Sequence, residues 1–258
     1  MNSRSPGIPS WRGLLLLSIC LTAVVVAAFV APIAQDSSYH SFTDQRGWTG
    51  IANIANVLSN TPFLLAGIAG LCALRTAPLT AVSRRCLVVF FCGIGLTAVG
   101  SAGYHWRPDN ASLLWDRLPM TLAFVGLTAL VISEYLSSKL ASRLLWPMLC
   151  AGMLSVAYWL WTETRGSGDL RWYLLVQFLP LLIIPLILWL YRGRSDWTPT
   201  LIGMLILYVL AKSCELLDSE IYAYGNIISG HSVKHLIAAG ASWLPVQFLH
   251  RKTSAIKH

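Results

Sequence analysis

The chain of 258 residues is 55% hydrophobic and only 12% charged, and its apolar residues fall in runs of about twenty rather than in a stripe, which excludes a water-soluble globule. The formal net charge of +8 is not concentrated in any basic run long enough to track phosphates, so the charge reads as a topology signal, with nucleic-acid binding the weaker explanation and no nucleic-acid partner expected. Six of the 11 tryptophans, Trp11, Trp48, Trp106, Trp115, Trp172 and Trp197, stand near the ends of apolar runs, where indole rings suit the headgroup level of a bilayer.

Eight candidate spans follow in chain order, at roughly 12–33, 52–74, 86–106, 113–135, 144–163, 170–191, 198–217 and 229–249, each near the ~20 residues that a bilayer core requires. The fold class is therefore all-α and polytopic. The first apolar stretch, Leu14 to Ile33, is longer than the ~7–15-residue core of a signal peptide and reads as an uncleaved anchor. Pro78, Pro108 and Pro199 punctuate connections or span starts. Pro62, Pro119, Pro180 and Pro185 fall inside spans, where neighbouring helices can satisfy the freed carbonyls. Cys20, Cys72, Cys86, Cys92, Cys150 and Cys214 lack CxxC spacing and read as small packing residues.

Basic residues set the expected orientation. Arg4, Arg12, Arg75, Arg84, Arg85, Lys139, Arg143, Arg192, Arg194, Arg251, Lys252 and Lys257 all fall on one side of an eight-span topology. The other side holds Arg46, Arg107, Arg165 and Arg171. Both chain ends are thus expected to be cytoplasmic. Arg117, Lys212 and Lys234 lie within spans.

Polar residues that a membrane core would otherwise reject mark the candidate site. His231-x-x-x-His235 opens the last span, with both imidazoles on one helix face, and Ser101 and His105 repeat that spacing at the end of the third. Asp116 follows early in the fourth. With the orientation above, all five converge at the outer leaflet. Three neutral imidazoles form a well-known catalytic zinc set that leaves one position open, and zinc so held activates water near neutral pH. Asp116 is then the candidate general base and Ser101 a hydrogen-bond donor to a carbonyl or its oxyanion.

Other readings of the same residues stand beside this one. A lone histidine near a span end is usually interfacial or hydrogen-bonded, the reading for His40, His250 and His258. HxxxH by itself also suits haem or a proton path, hence an electron carrier or a transporter. Asn56, Ser59 and Asn60 share one face of the second span and suit interhelical hydrogen bonds. Arg171 and Gln177 are placed to meet Asp116 or a lipid headgroup, with snorkelling to the interface the equal alternative for Arg171. The absence of a GxSxG elbow argues against serine-hydrolase chemistry.

Ser101-Ala102-Gly103-Tyr104-His105, Asp116 and His231-x-x-x-His235 resemble the serine, aspartate and three-histidine signature of the alkaline ceramidases, in the wider membrane-hydrolase superfamily that includes the adiponectin-type receptors. Ile51 to Asn60, IANIANVLSN, is similar to the opening helix of that family. The resemblance covers residues ~40–250. It implies a seven-helix core with one added N-terminal helix: a segment and anchor over 1–38, a ceramidase-like membrane domain over 39–250 and a basic tail over 251–258. It also implies Zn2+ held by His105, His231 and His235, and cleavage of the amide bond of a ceramide-like membrane lipid to a sphingoid base and a fatty acid. One departure concerns Ca2+. Eukaryotic members bind it through an acidic segment before the first core helix, with a glutamate where Asn53 stands here. Asp44, Gln45, Asn53 and Asn56 offer too few carboxylates, so a calcium site is expected to be weak or absent. Glu215, Asp218 and Glu220 add charge near the outer face and also suit a solvated helix end. A lipid-sensing receptor of the same fold, or a hydrolase of another lipid amide or ester, is the alternative. No obligate protein partner is evident, and the compact loops without eukaryotic retention signals suit a bacterial inner membrane.

Overall fold

A computed structural model describes residues 10–255, so the expectations for Arg4, Lys257 and His258 concern residues outside that range. Among the described residues the chain is helical, with one isolated bridge between Trp48 and Ile51. The helices are α1 (Trp11–Phe29), α2 (Ile54–Leu58), α3 (Thr61–Ala73), α4 (Ala81–Trp106), α5 (Asn110–Val131), α6 (Ser138–Thr164), α7 (Arg171–Leu190), α8 (Thr198–Leu216), α9 (Asp218–Ala223) and α10 (Gly230–Ser254). A 3-10 turn, Ser37–His40, follows α1, and a π turn, Ile132–Leu136, extends α5.

Seven stretches are long and apolar enough to cross a membrane, which makes the protein an all-α, membrane-type polytopic fold. Three sequence expectations change in detail. The second span is not one helix: it breaks at Ser59–Asn60, and Pro62 opens α3, where a missing N–H costs nothing. Helices α4 and α6 begin at Ala81 and Ser138, earlier than expected, because Thr80 and Ser137 cap first turns whose charged residues mask their helical character. The eighth, α10, has 25 residues, ample for a bilayer, yet falls short in hydropathy. His231, Ser232, His235 and Ser242 account for much of that deficit, and all four are buried inside the bundle.

Helices α4 and α5 form the central pair, with α3 packed on α4, α6 on both, α7 on α5, and α10 packed on α3 and α8. Helix α1 lies outside, against α7, and only its Leu16 is buried. The chain leaving α1 is nevertheless held in place: the Leu170 N–H donates to the Ile33 carbonyl at 2.8 Å, and the Gln35 N–H to Glu163 Oε1 at 2.7 Å. Far from the candidate site, the Arg12 guanidinium lies 5.5 Å from the Tyr191 ring centre, and Lys252 pairs with Asp196 at 3.1 Å. Those contacts tie the start of α1 and the end of α10 to the turn between α7 and α8.

Candidate metal centre

Two helix starts and two close helix contacts position the site. Asp109 caps α5, accepting from the Ser112 N–H at 2.6 Å while the Ser112 hydroxyl accepts from the Asp109 N–H, so the helix leading to Asp116 begins at a fixed residue. Ser229 caps α10, and Asp218 takes the otherwise unpaired His231 N–H at 2.7 Å. Gly100 lets α4 approach α5: a methyl there would overlap the Trp115 carbonyl, one residue from Asp116. Gly230 does the same for the start of α10, which rests on the Cys214 carbonyl.

His105 from α4 and His231 and His235 from α10 are all buried, with ring centres 4.8–4.9 Å apart in each pair. One nitrogen from each ring lies within 4.8 Å of the other two. The Nε2 atoms of His105 and His231 are 3.4 Å apart. A tetrahedrally bound ion with metal–nitrogen bonds of ~2.0–2.1 Å sets its donor atoms about 3.3 Å apart, so this pair already has the spacing of a shared ligand set.

The protonation pattern favours that use. The Ser59 hydroxyl donates its one proton to the Asn56 carbonyl at 2.9 Å, so across its 2.8 Å contact with His235 Nδ1 it must accept, leaving the Nε2 lone pair of His235 free. The Lys234 ammonium donates to His231 Nε2 at 3.0 Å and to Glu215 Oε1 at 2.8 Å. The ammonium thus occupies the His231 Nε2 lone pair and would have to give it up, keeping Glu215 as its counter-charge, for that nitrogen to bind a metal. Phe42 covers the group from one side, its ring centre 4.6 Å from that of His105 and 5.0 Å from that of His231. The three buried histidines could therefore hold a metal ion.

Asp116 and Ser101 stand outside that group and line an adjoining cavity of about 420 Å3, into which His235 also faces. Ser101 is buried and Asp116 half-buried. Phe63, Thr97, Met120, Tyr208 and Ala238 line this cavity and also an almost wholly apolar one of about 150 Å3. The cavity that holds Asp116 and Ser101 thus shares a wall with a more strictly apolar one.

Residues singled out in the sequence separate here. Two of the second-span trio make interhelical bonds, Ser59 to His235 and Asn56 Oδ1 to the Ser232 hydroxyl at 2.6 Å, whereas Asn60 donates within its own segment to the Asn56 carbonyl at 2.8 Å. His40 is hydrogen-bonded to the Tyr104 hydroxyl and to Asn110, each at 3.0 Å. Arg171 does not meet Asp116: it pairs with Asp169 at 2.8 Å and donates to the Ala28 and Val30 carbonyls at the end of α1. Its neighbour's charge and the bare helix end offer nearer partners than the cavity does. Gln177 donates to the Tyr208 hydroxyl at 3.3 Å in the cavity wall. Asp44 is held by Arg46 through both oxygens, at 2.8 and 2.7 Å, and that pairing keeps its carboxyl below the usual carboxylate range. Asn53 donates to the His105 carbonyl at 2.8 Å.

Sequence reasoning assigned no role to Lys212, Lys234 or Arg117, and left Glu215 as a helix end. In the fold Glu215 bridges Lys212 and Lys234, and all four residues line the cavity beside Asp116. Their signal was present: ionisable residues inside apolar spans mark interior or functional positions.

No family model matches the chain, and no curated protein sequence matches it.

Proposed function

We propose that the protein is an integral membrane zinc-dependent amidohydrolase that cleaves the amide bond of ceramide-like lipids, the activity implied by its resemblance to the alkaline ceramidases. The observation that carries this reading is a group of three buried histidines, one of which, His235, shares a cavity with a carboxylate and a hydroxyl, and that cavity shares part of its wall with an apolar one. His105, His231 and His235 would hold the zinc, which supplies Lewis-acid activation of water and of a carbonyl. The Asp116 carboxylate takes a proton from the attacking water and returns it to the departing nitrogen as the C–N bond breaks, so the products are a fatty acid and an amine. The Ser101 hydroxyl donates to the carbonyl oxygen as charge gathers there. The apolar chamber takes part of a hydrocarbon chain.

The same reading has both chain ends cytoplasmic and the site near the outer leaflet of a bacterial inner membrane. The basic residues support that orientation: Arg12 and Lys252 lie at the end of the bundle away from the histidines. The test is metal analysis of the detergent-purified protein coupled to a hydrolysis screen over lipid amides and esters, including a short-chain fluorescent ceramide. Stoichiometric zinc, with acyl release lost on chelation and restored by zinc, is the expected result. Zinc-loaded protein that releases no fatty acid from any amide would overturn it.

A further inference from the structure

Arg117 is 6% exposed, yet among the described residues its guanidinium makes no ion pair. A buried cation without a counter-charge is costly unless something compensates it. Part of the compensation is aromatic, since the guanidinium carbon lies 4.3 Å from the Trp159 ring centre and 4.9 Å from that of Tyr173. One amino group, Nη2, donates to the Gln35 side-chain oxygen; the other, Nη1, is buried with no hydrogen-bond partner. Ring faces satisfy the plane of a guanidinium but not its N–H edge, which suits a two-oxygen anion such as a carboxylate or phosphate.

Arg117 and Gln35 both line the cavity that holds Asp116 and Ser101. The other two cations there, Lys212 and Lys234, are both paired with Glu215. Asp36, also at the cavity wall, is exposed and accepts from the Ser38 N–H. The Asp116 carboxylate lines the same cavity and feels the Arg117 charge but makes no ion-pair contact with it. Among the described residues Arg117 is thus the cavity's cation without a direct anionic partner, and Gln35 presents to it a neutral oxygen where a ligand would present a charged one.

We propose that Arg117 is an anion-recognition residue of this cavity, which narrows the ceramide-like substrate to a lipid amide whose amine portion carries a carboxylate or a phosphate in place of a neutral hydroxyl head. The substrate assignment rests on the amidohydrolase reading above; the anion site does not. The test uses the full chain in lipid nanodiscs with three dodecanoyl amides of matched chain: N-dodecanoylglycine, N-dodecanoyl-O-phosphoethanolamine and the neutral N-dodecanoylethanolamine. Binding is read by titration calorimetry and acyl release in parallel. One of the two anionic amides should bind roughly tenfold or more tightly than the neutral one, as for charge-assisted pairing away from water, and which one does so distinguishes carboxylate from phosphate. Arg117→Gln should erase the preference while zinc content is unchanged. Gln35→Glu, which offers an internal carboxylate to the guanidinium, should erase it as well without relying on loss of the arginine. Equal binding of all three by the unaltered protein would overturn the anion site, as would a preference that survives both substitutions. Arginine-dependent binding without acyl release would uphold the site and defeat the hydrolase reading. Equal hydrolysis of neutral and anionic amides, lowered alike by Arg117→Gln, would do the reverse.

Discussion

The Ser59 hydroxyl sits 2.8 Å from Nδ1 of His235 and joins the break between α2 and α3 to the first turns of α10. A partner of this kind fixes which ring nitrogen is protonated and how the imidazole faces a metal. Ser59→Ala should lower zinc affinity by about 10–100-fold, as loss of such supporting partners does. His235→Ala should remove most of the zinc. Competition with a chelator of known affinity measures both, and a Ser59→Ala protein that binds zinc as tightly as the parent would remove the serine from the site.

Gly100 makes a separate claim on geometry. Because a methyl at this position would collide with the Trp115 backbone, Gly100→Ala has to push α4 and α5 apart beside Asp116. Overpacking of this kind costs on the order of 1–3 kcal/mol, and hydrolysis should fall further than thermal stability because the Ser101 to Asp116 spacing changes. Gly103→Ala has open space around it and serves as the control. Equal loss of activity in the two variants would contradict the packing argument.

Asp116 is assigned proton transfer and not metal binding. Asp116→Asn is nearly isosteric but a poor base, so it should keep its zinc while single-turnover release of fatty acid drops by roughly the 10²–10⁴-fold typical of a lost general base. Ser101→Ala should fall by at most about 10²–10³-fold, the cost of one oxyanion donor. Loss of zinc from Asp116→Asn would reassign the carboxylate as a ligand or as the support of one.

Asp44 gives a pH dependence whose sign can be worked out. Its pairing with Arg46 depresses the carboxyl pKa in the folded chain, so its contribution to stability is present above the unfolded value of about 3.9 and disappears as pH falls through the lower folded value. The melting temperature of Asp44→Asn should lie below that of the parent at pH 6, and the gap should close below pH 4. A gap that widens on acidification would show that Arg46 draws its stability from elsewhere. Arg46 also donates to the Asn226 and Ile227 carbonyls before α10, so the loss should be felt at the lip of the site.

Orientation has its own measurement. A reporter fused after Ala255 should read cytoplasmic, and one inserted between Arg107 and Asn110 should read external. The opposite pattern would move the histidines to the cytoplasmic leaflet and change which lipids reach them.

Ser101, His105, His231 and His235 were legible in the sequence because a four-residue spacing becomes a shared face on any helix, and apolar runs declare the helices. Asp116 was legible as a carboxylate where hydrocarbon is expected. What stayed hidden depends on which helices are neighbours. Glu215 meets Lys234 only because α8 packs on α10, and Arg117 meets Trp159 and Tyr173 only because α6 and α7 close around α5. Gln35 was hidden for another reason: it follows a helix that reads as a mere anchor, and no local pattern tells that the chain turns back to the cavity.

Helix α10 is too polar on its inner side to enter hydrocarbon alone, since its histidines, Lys234 and buried serines would face lipid. Its insertion therefore has to be assisted by segments already in place, with α3 and α8 supplying the surface that receives it. Two of the three imidazoles arrive on this helix. Without α10 the cavity wall from α4 and α5 carries only one of the three imidazoles, so the histidine group is complete only when α10 has packed into the bundle.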